Sequence, residues 1–314
     1  MAEFSLNFLD NIWDLYRDLG DKTYRHGKYQ AFRINDPKSR DIHKAGVRDR
    51  LVHHAIHRIL YPYFDRKFIF DSYSCRLKKG THRAINRFHG FARKVSRNNT
   101  RTIRVLKGDI RKFFASIDHR ILKNILAKYI ADEDTLWLLA QVIDSFTSPT
   151  PTPQSASSAD TSPRAEEEDI AIGLPLGNLT SQLFVNVYLN ELDQFVKRNI
   201  KVKYYARYCD DFVIVHEDKN YLENIIPEIS EFLGDRLKLS LNPEKVFIKT
   251  FSSGVDFLGW VNFPRHRVLR NSTERRMLKN IKRKSAPEVI ASYLGLLSHG
   301  NTHNLSAKVR KKSL

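Results

Sequence analysis

Residues 204–215 read Tyr-Tyr-Ala-Arg-Tyr-Cys-Asp-Asp-Phe-Val-Ile-Val, and no other stretch constrains the fold so tightly. Two β-prone runs, 204–208 and 212–215, flank a polar centre of Cys209, Asp210 and Asp211. That pattern predicts a β-hairpin. A tight hairpin turn is usually made by Asn-Gly or Asp-Gly, which relieves strain without adding a second charge. Here two carboxylates sit side by side between strands that call for burial, so they repel each other and are costly to desolvate. A divalent cation relieves both problems. Hard carboxylate oxygens suit Mg²⁺ or Mn²⁺, and two such ions can clamp an in-line phosphoryl displacement. A solvated Asp-Asp turn is the competing reading.

The charge balance bears on that choice. The chain has 314 residues, 53 Lys and Arg against 35 Asp and Glu, and a formal net charge of +18. Such an excess points to a polyanion, most simply nucleic acid; a basic membrane-surface protein is the rival. No uninterrupted apolar run is long enough to span a bilayer. The first ten residues carry acids where a signal peptide would be positive. With 41% hydrophobic and 11% aromatic residues, the chain is globular and long enough for a large core. Cys75 and Cys209, the two cysteines, offer neither a disulfide framework nor a zinc cluster. A reducing, cytoplasmic compartment is expected.

Basic and apolar patterning then divides the chain. Residues 5–20 read as an amphipathic helix and 51–64 as a second, with Val52, Ala55, Ile56, Ile59 and Leu60 at helical spacing. Residues 28–44 hold short strands around the turn signal Asp36-Pro37. Residues 81–107 contain eight Lys or Arg and no acid, interleaved with Phe88, Phe91, His82 and His89. A solvated face normally mixes signs, so this run favours phosphate contact. Residues 103–106 predict a strand leading to Asp109, and Asp118 an N-cap for the next helix. Residues 145–169, rich in Ser, Thr, Pro and Ala and ending in acids, read as a flexible insertion within a domain.

The loop Ile172-Gly-Leu-Pro-Leu-Gly-Asn-Leu-Thr-Ser-Gln182 precedes a helix over 181–198 with one mostly apolar face. Its glycines allow close approach of backbone to ligand, and the helix N-terminus favours an anion. It lacks the Gly-Lys-Ser/Thr ending of a P-loop. Beyond the hairpin, 221–234 predicts a helix, 237–241 a strand, 242–245 a turn into a strand over 246–249, and 256–260 a further strand. From residue 271 onward, ten Lys or Arg against two Glu predict a small basic helical subdomain. If the strand ending at Asp109 neighbours the hairpin, then Asp109, Asp210 and Asp211 converge on one two-metal site.

The ordered series resembles the reverse transcriptases of prokaryotic retroelements over nearly the whole chain. Lys38-Ser-Arg-Asp-Ile42 with Val47-Arg-Asp-Arg-Leu-Val52, and Tyr73-Ser-Cys-Arg-Leu-Lys-Lys-Gly80, look like two fingers motifs. Residues 109–114 and Tyr208-Cys209-Asp210-Asp211 are similar to palm motifs. Residues 239–246 look like the lysine motif and 257–260 the primer grip. Retroviral and group II intron enzymes usually carry Gln-Gly, three residues and Ser-Pro in the nucleotide-pocket motif. This chain has Leu176-Gly177-Asn-Leu-Thr-Ser181-Gln182, which resembles the enzymes of diversity-generating retroelements, as does Tyr188-Leu-Asn-Glu-Leu-Asp193. In that family the enzyme copies a template RNA with errors at adenines, and the cDNA rewrites a target gene.

The resemblance implies an α+β right-hand polymerase: fingers over 1–100, a palm with an antiparallel sheet over 101–270, and a short helical thumb over 271–314. Asp109, Asp210 and Asp211 would hold two Mg²⁺ ions, with Mn²⁺ a substitute, and the Ile110 carbonyl would assist. One ion would lower the pKa of the primer 3′-hydroxyl and the other hold the triphosphate. Phe114 would exclude a 2′-hydroxyl, although Phe113 competes for that place and either could be core. Arg40 with Lys38 or Arg33 would clamp the triphosphate. Lys245 would protonate pyrophosphate, with a solvated lysine the alternative. Leu176, Gly177, Ser181 and Gln182 would shape the dNTP pocket. Implied partners are template RNA, primer and cDNA, dNTPs and a small basic accessory protein, in a bacterial cell or phage-infected host. Too little sequence remains for an RNase H, maturase or endonuclease domain, so other factors would remove RNA and integrate cDNA. The competing classes are a retron, group II-like or antiphage-defence reverse transcriptase, an RNA-dependent RNA polymerase and a non-enzymatic RNA-binding protein.

Overall fold

Where the sequence alternates or spaces its apolar residues, the computed structural model forms the corresponding strands and helices; it describes residues 6–35, 39–148, 171–283 and 286–311. The chain opens with helix α1 (Phe8–Gly20), strands β1 (Gln30–Ile34) and β2 (Arg40–Lys44), and helix α2 (Val47–Asp65). Helix α3 (Thr81–Val95), strand β3 (Arg104–Asp109), and helices α4 (His119–Ala127), α5 (Glu133–Asp144) and α6 (Leu179–Gln194) follow. Then come β4 (Tyr205–Tyr208), β5 (Asp211–His216), α7 (Lys219–Leu237), β6 (Phe247–Thr250), β7 (Val255–Phe257), β8 (Trp260–Asn262) and β9 (Arg267–Leu269). Three helices end the order: α8 (Asn271–Arg283), α9 (Pro287–Leu297) and α10 (His303–Lys311).

These elements fall into two compact units, each assembled from three chain segments. The first comprises residues 1–69, 110–194 and 230–240, and the second residues 70–109, 195–229 and 241–314. In the first unit, α6 packs against α2 and α4. The sequence predicted one apolar face for α6, but the helix is buried on nearly every side, Thr180, Ser181, Asn186 and Asn190 included. Its polar residues sit inward because they find partners there: the Tyr188 hydroxyl, for instance, donates to the Leu237 carbonyl at 2.7 Å. Asp118 caps α4 as predicted, accepting from the Ile121 amide at 2.9 Å. The β1–β2 ribbon is antiparallel, pairing Ile34 with Arg40 and Arg33 with Asp41.

The second unit is built on a four-stranded antiparallel sheet of order β4-β5-β3-β6. Val105, Val213 and Val215 share one face of it and join a core with Phe88 and Phe91 of α3, Phe251, Phe257 and Trp260. A β7-β8-β9 meander and the last three helices complete that core.

One predicted strand is absent and another is divided by a turn. Residues 237–241 are not a strand, because α7 runs on to Leu237 and the chain then loops towards β6. Residues 256–260 are not one strand but a hairpin. β7 ends at Phe257, Leu258 and Gly259 take positive φ of 53° and 86°, and β8 begins at Trp260. Positive φ at both central residues is the requirement of a type I′ turn. The masking signal was Leu258, an apolar residue in a turn position.

Candidate active site

Hairpin β4–β5 carries the paired acids. Tyr208 pairs with Asp211, leaving Cys209 and Asp210 as the two-residue turn. Cys209 has φ +56°, a left-handed conformation uncommon outside glycine. The strain is offset by Arg207, whose guanidinium is fully buried and donates to the Cys209 carbonyl at 3.0 Å and to Ser72 Oγ at 3.2 Å. The 71–73 segment also runs beside β4, with the Tyr73 amide on the Arg207 carbonyl and the Arg207 amide on the Asp71 carbonyl, each 2.9 Å. A buried guanidinium persists only where its donors are satisfied, so the turn is pinned from outside.

β3 lies next to β5, and the register sets Asp109 directly opposite Asp211. Like charges so paired are destabilising. The neighbouring cations counter this. Lys245 Nζ donates to Asp109 Oδ1 at 2.6 Å, Asn242 Nδ2 reaches the same oxygen at 3.3 Å, and the Asn242 amide holds the Asp109 carbonyl at 2.8 Å. Lys107 Nζ lies 3.4 Å from Asp211 Oδ1 as an ion pair, too loose to hydrogen-bond that buried oxygen. Burial pushes the Asp210 and Asp211 carboxyls above the usual carboxylate range, and the charge of Asp109 pushes both further. Burial alone would lower the Lys245 ammonium, but its bond to Asp109 and the charges of the three acids raise it. Burial also raises the Cys209 thiol, which makes it a poor nucleophile.

These donors suit a hard divalent cation: three carboxylates at the end of one sheet, one with a buried oxygen lacking a hydrogen bond. They do not form a ready-made cage. Among the described residues no three His, Cys, Asp or Glu side chains gather in metal-holding geometry, and the Lys245 ammonium takes an Asp109 oxygen in the meantime.

The remaining predicted residues lie in the first unit, beginning with buried Ile110. A cavity of about 630 Å³ there is lined by Phe114, Leu176, Leu174, Arg33, His43 and Phe146, among others. Phe113 is buried in the core, whereas Phe114 is half-buried in the cavity wall. The 176–178 loop before α6 is tied to β2. The His43 amide donates to the Leu176 carbonyl at 2.9 Å, Asn178 Nδ2 to the His43 carbonyl at 2.7 Å, and the Ala45 amide to Asn178 Oδ1 at 3.3 Å. Gly177 passes so near this ribbon that a Cβ would lie 2.7 Å from Ile42 Cγ2. Ser181 is buried and Gln182 half-buried. Arg33 is held bidentately by Asp41 at 2.8 and 3.2 Å, Arg40 is exposed at the start of β2, and Lys38 lies outside the described residues.

Several contributors escaped the sequence reading. Lys107, counted there in a phosphate-contacting run, is turned inward to Asp211; its place two residues before Asp109 on a strand, hence on the same face, was the available signal. Arg87 of that run pairs with Asp71 at 2.7 Å. Arg207, Asn242 and Asn178 carried no signal beyond their neighbours.

The family described as reverse transcriptase (RNA-dependent DNA polymerase) matches residues 35–261. Protein YkfC of Escherichia coli (strain K12) is 29% identical over 314 residues, covering 86% of this chain and 76% of that protein. The group II intron-encoded protein LtrA of Lactococcus lactis subsp. cremoris is 24% identical, covering 87% of this chain and 52% of LtrA. Among solved structures, telomerase from Candida tropicalis in complex with the TWJ fragment of telomeric RNA has a TM-score of 0.55 at 12% identity, covering 96% of this chain and 56% of that one. The apo enzyme truncated from its C-terminal domain gives 0.53 at 13%, covering 79% and 55%. The fold is the right-hand polymerase fold, and the chain belongs to the reverse transcriptases, the RNA-dependent DNA polymerases.

Proposed function

We propose that this chain copies an RNA template into DNA by nucleotidyl transfer at Asp109, Asp210 and Asp211. The observation that carries the assignment is the register of β3 on β5, which sets Asp109 opposite Asp211 beside the Asp210 turn. The three carboxylates would hold divalent cations, Mg²⁺ in the cell and Mn²⁺ as a substitute, with the Ile110 carbonyl assisting. Bound there, such ions would activate the primer 3′-hydroxyl and neutralise the triphosphate. The primer 3′-hydroxyl gives its proton to solvent as its oxygen bonds to the α-phosphorus, the α–β phosphoanhydride bond breaks and pyrophosphate leaves. Lys245, held protonated by its bond to Asp109, is the proton donor to that leaving group. Lys107 and Asn242 keep the carboxylates oriented. Phe114 and Leu176 line the nucleotide pocket, shaped also by Gly177, Ser181 and Gln182, and Arg40, exposed at the start of β2, supplies a guanidinium for the triphosphate. Fingers, palm and thumb are assigned to residues 1–100, 101–270 and 271–314.

The finer reading is a diversity-generating retroelement enzyme whose errors at adenines diversify a target gene, working with a small basic accessory protein. The Leu176-Gly177 to Ser181-Gln182 motif supports it. The group II-like reading is supported by the likeness to YkfC and LtrA. Among the described residues no helix is long and apolar enough to cross a membrane.

The test is primer extension on an RNA template with dNTPs and Mg²⁺. Asp210→Asn should lose incorporation by at least about a hundredfold, the scale of a lost charge-stabilising group, while RNA binding persists. Retained polymerisation would sink the assignment.

A further inference from the structure

The second unit holds a cavity of about 620 Å³ that shares no residue with the carboxylate site. Arg93, His89 and Asn86 of α3 form one wall, Arg265 and Arg267 of the turn into β9 a second, and His299 a third. Among the described residues no Asp or Glu lines it. Elsewhere in the unit arginines meet carboxylates, Arg87 with Asp71 and Arg270 with Asp256. Here the acceptors are neutral. Arg267 Nη1 donates to Asn86 Oδ1 at 2.8 Å and Nε to the His299 carbonyl, while Arg93 Nε donates to Asn98 Oδ1 at 2.8 Å. Among the described residues, Arg93, Arg265 and Arg267 have no carboxylate partner. Their positive charge is therefore uncompensated at a concave surface, where potential is focused.

The imidazoles respond to the same field. The His82 and His299 rings stack at 3.6 Å, and His82 Nδ1 is buried without a hydrogen-bond partner. Burial first, then the charges of His299 and Arg267, lower the His82 pKa. Burial lowers His89 too, with its bond to the Phe263 carbonyl opposing and the charges of Arg267 and Arg93 adding to the fall. The walls are fixed to one another: the Asn301 amide donates to the Arg267 carbonyl at 2.8 Å, and Arg267 lies over the Trp260 ring at 5.6 Å.

We propose that this cavity is a second nucleic-acid contact, in which Arg93, Arg265 and Arg267 take a phosphodiester of bound RNA. Guanidinium forks match phosphate geometry, and the amide and imidazole edges beside them suit the adjoining sugar and base. The inference rests on the reading that the chain handles RNA, though not on the carboxylate chemistry.

Its test uses the full chain and single-stranded RNA, with affinity measured by fluorescence anisotropy across salt concentrations. Arg93→Gln/Arg265→Gln removes two exposed cations and leaves the structural Arg267 in place. Losing the grip on that one phosphodiester should flatten the slope of log K against log salt by about 0.7, the value per phosphate for a single strand. Arg120→Gln, an exposed cation of α4, should leave the slope within error of wild type. Equal slopes for the double variant and wild type would overturn the proposal. So would an RNA-independent dATP or inorganic phosphate affinity that only the double variant loses, since the site would then take free phosphate. Absence of RNA binding in wild type would overturn this proposal and the polymerase reading together. Loss of incorporation in wild type with the slope change intact would overturn the polymerase reading alone.

Discussion

Gly108 faces the ring of Phe212 across the β3–β5 pair, and a Cβ built on it would lie 2.1 Å from the ring Cζ. Glycine one residue before Asp109 therefore lets Phe212 cover the strand and fixes the register that opposes Asp109 to Asp211. Gly108→Ala should destabilise the protein by about 1–3 kcal/mol through overpacking, read as a lower urea midpoint with an unchanged slope. An unchanged midpoint would mean the ring swings away freely. Leu176 supports a second prediction. It lines the first unit's cavity while its carbonyl is taken by the His43 amide, so on the proposed reading it would offer a nucleotide apolar contact and no side-chain amide. Hydrogen-bonded pockets discriminate better than apolar ones. Leu176→Gln should cut adenine misincorporation by roughly tenfold, read by sequencing primer-extension products; an unaltered error spectrum refutes the link.

Elements place these residues, and one helix does so through a buried polar chain. His53 of α2 bonds Thr180 Oγ1 of α6 through Nδ1 at 2.7 Å and His26 Nε2 through Nε2 at 2.9 Å. Its pKa falls from 6.5 to about 4, through burial first and then the charge of His26, with Asp49 opposing. The unfolded chain thus binds the proton first. The stabilisation is whole above about pH 6.5 and is lost as pH falls towards 4. The loss is bounded at about 3 kcal/mol. Urea midpoints measured from pH 7 to 5 should fall in wild type and fall less steeply in His53→Gln; parallel profiles would remove His53 from the account. Legibility in the sequence follows the same lines. The Asp-Asp hairpin, Asp109 at a strand end and the Asp118 cap were readable because local pattern determines them. The all-round burial of α6 and the inward Lys107 were not, because each depends on a partner distant in the chain, and the 258–259 turn was hidden locally by the apolar Leu258. Asn178 and Thr180 look like ordinary polar loop residues until β2 and His53 are beside them.

At the scale of the whole molecule, the decisive feature is how the chain is divided between its units. Each unit draws on three separate segments, and the break after Asp109 falls at the end of the strand that completes the carboxylate site. β3 is an inner strand, hydrogen-bonded to β5 on one side and β6 on the other. A fragment of residues 110–314 would keep β4, β5 and β6 yet lose the strand between β5 and β6, together with α3 and its Phe88 and Phe91. β5 and β6 would then present unpaired inner edges and an uncovered apolar face, a state prone to association. Native-like pairing here joins residues more than a hundred positions apart, which is slow and cannot be replaced by local contacts. The fragment should therefore show no cooperative thermal transition by circular dichroism and no metal-dependent incorporation, while co-expression with residues 1–109 should restore both. A cooperatively folded 110–314 fragment would show that the sheet does not need β3, and the site's dependence on the β3–β5 register would fall with it.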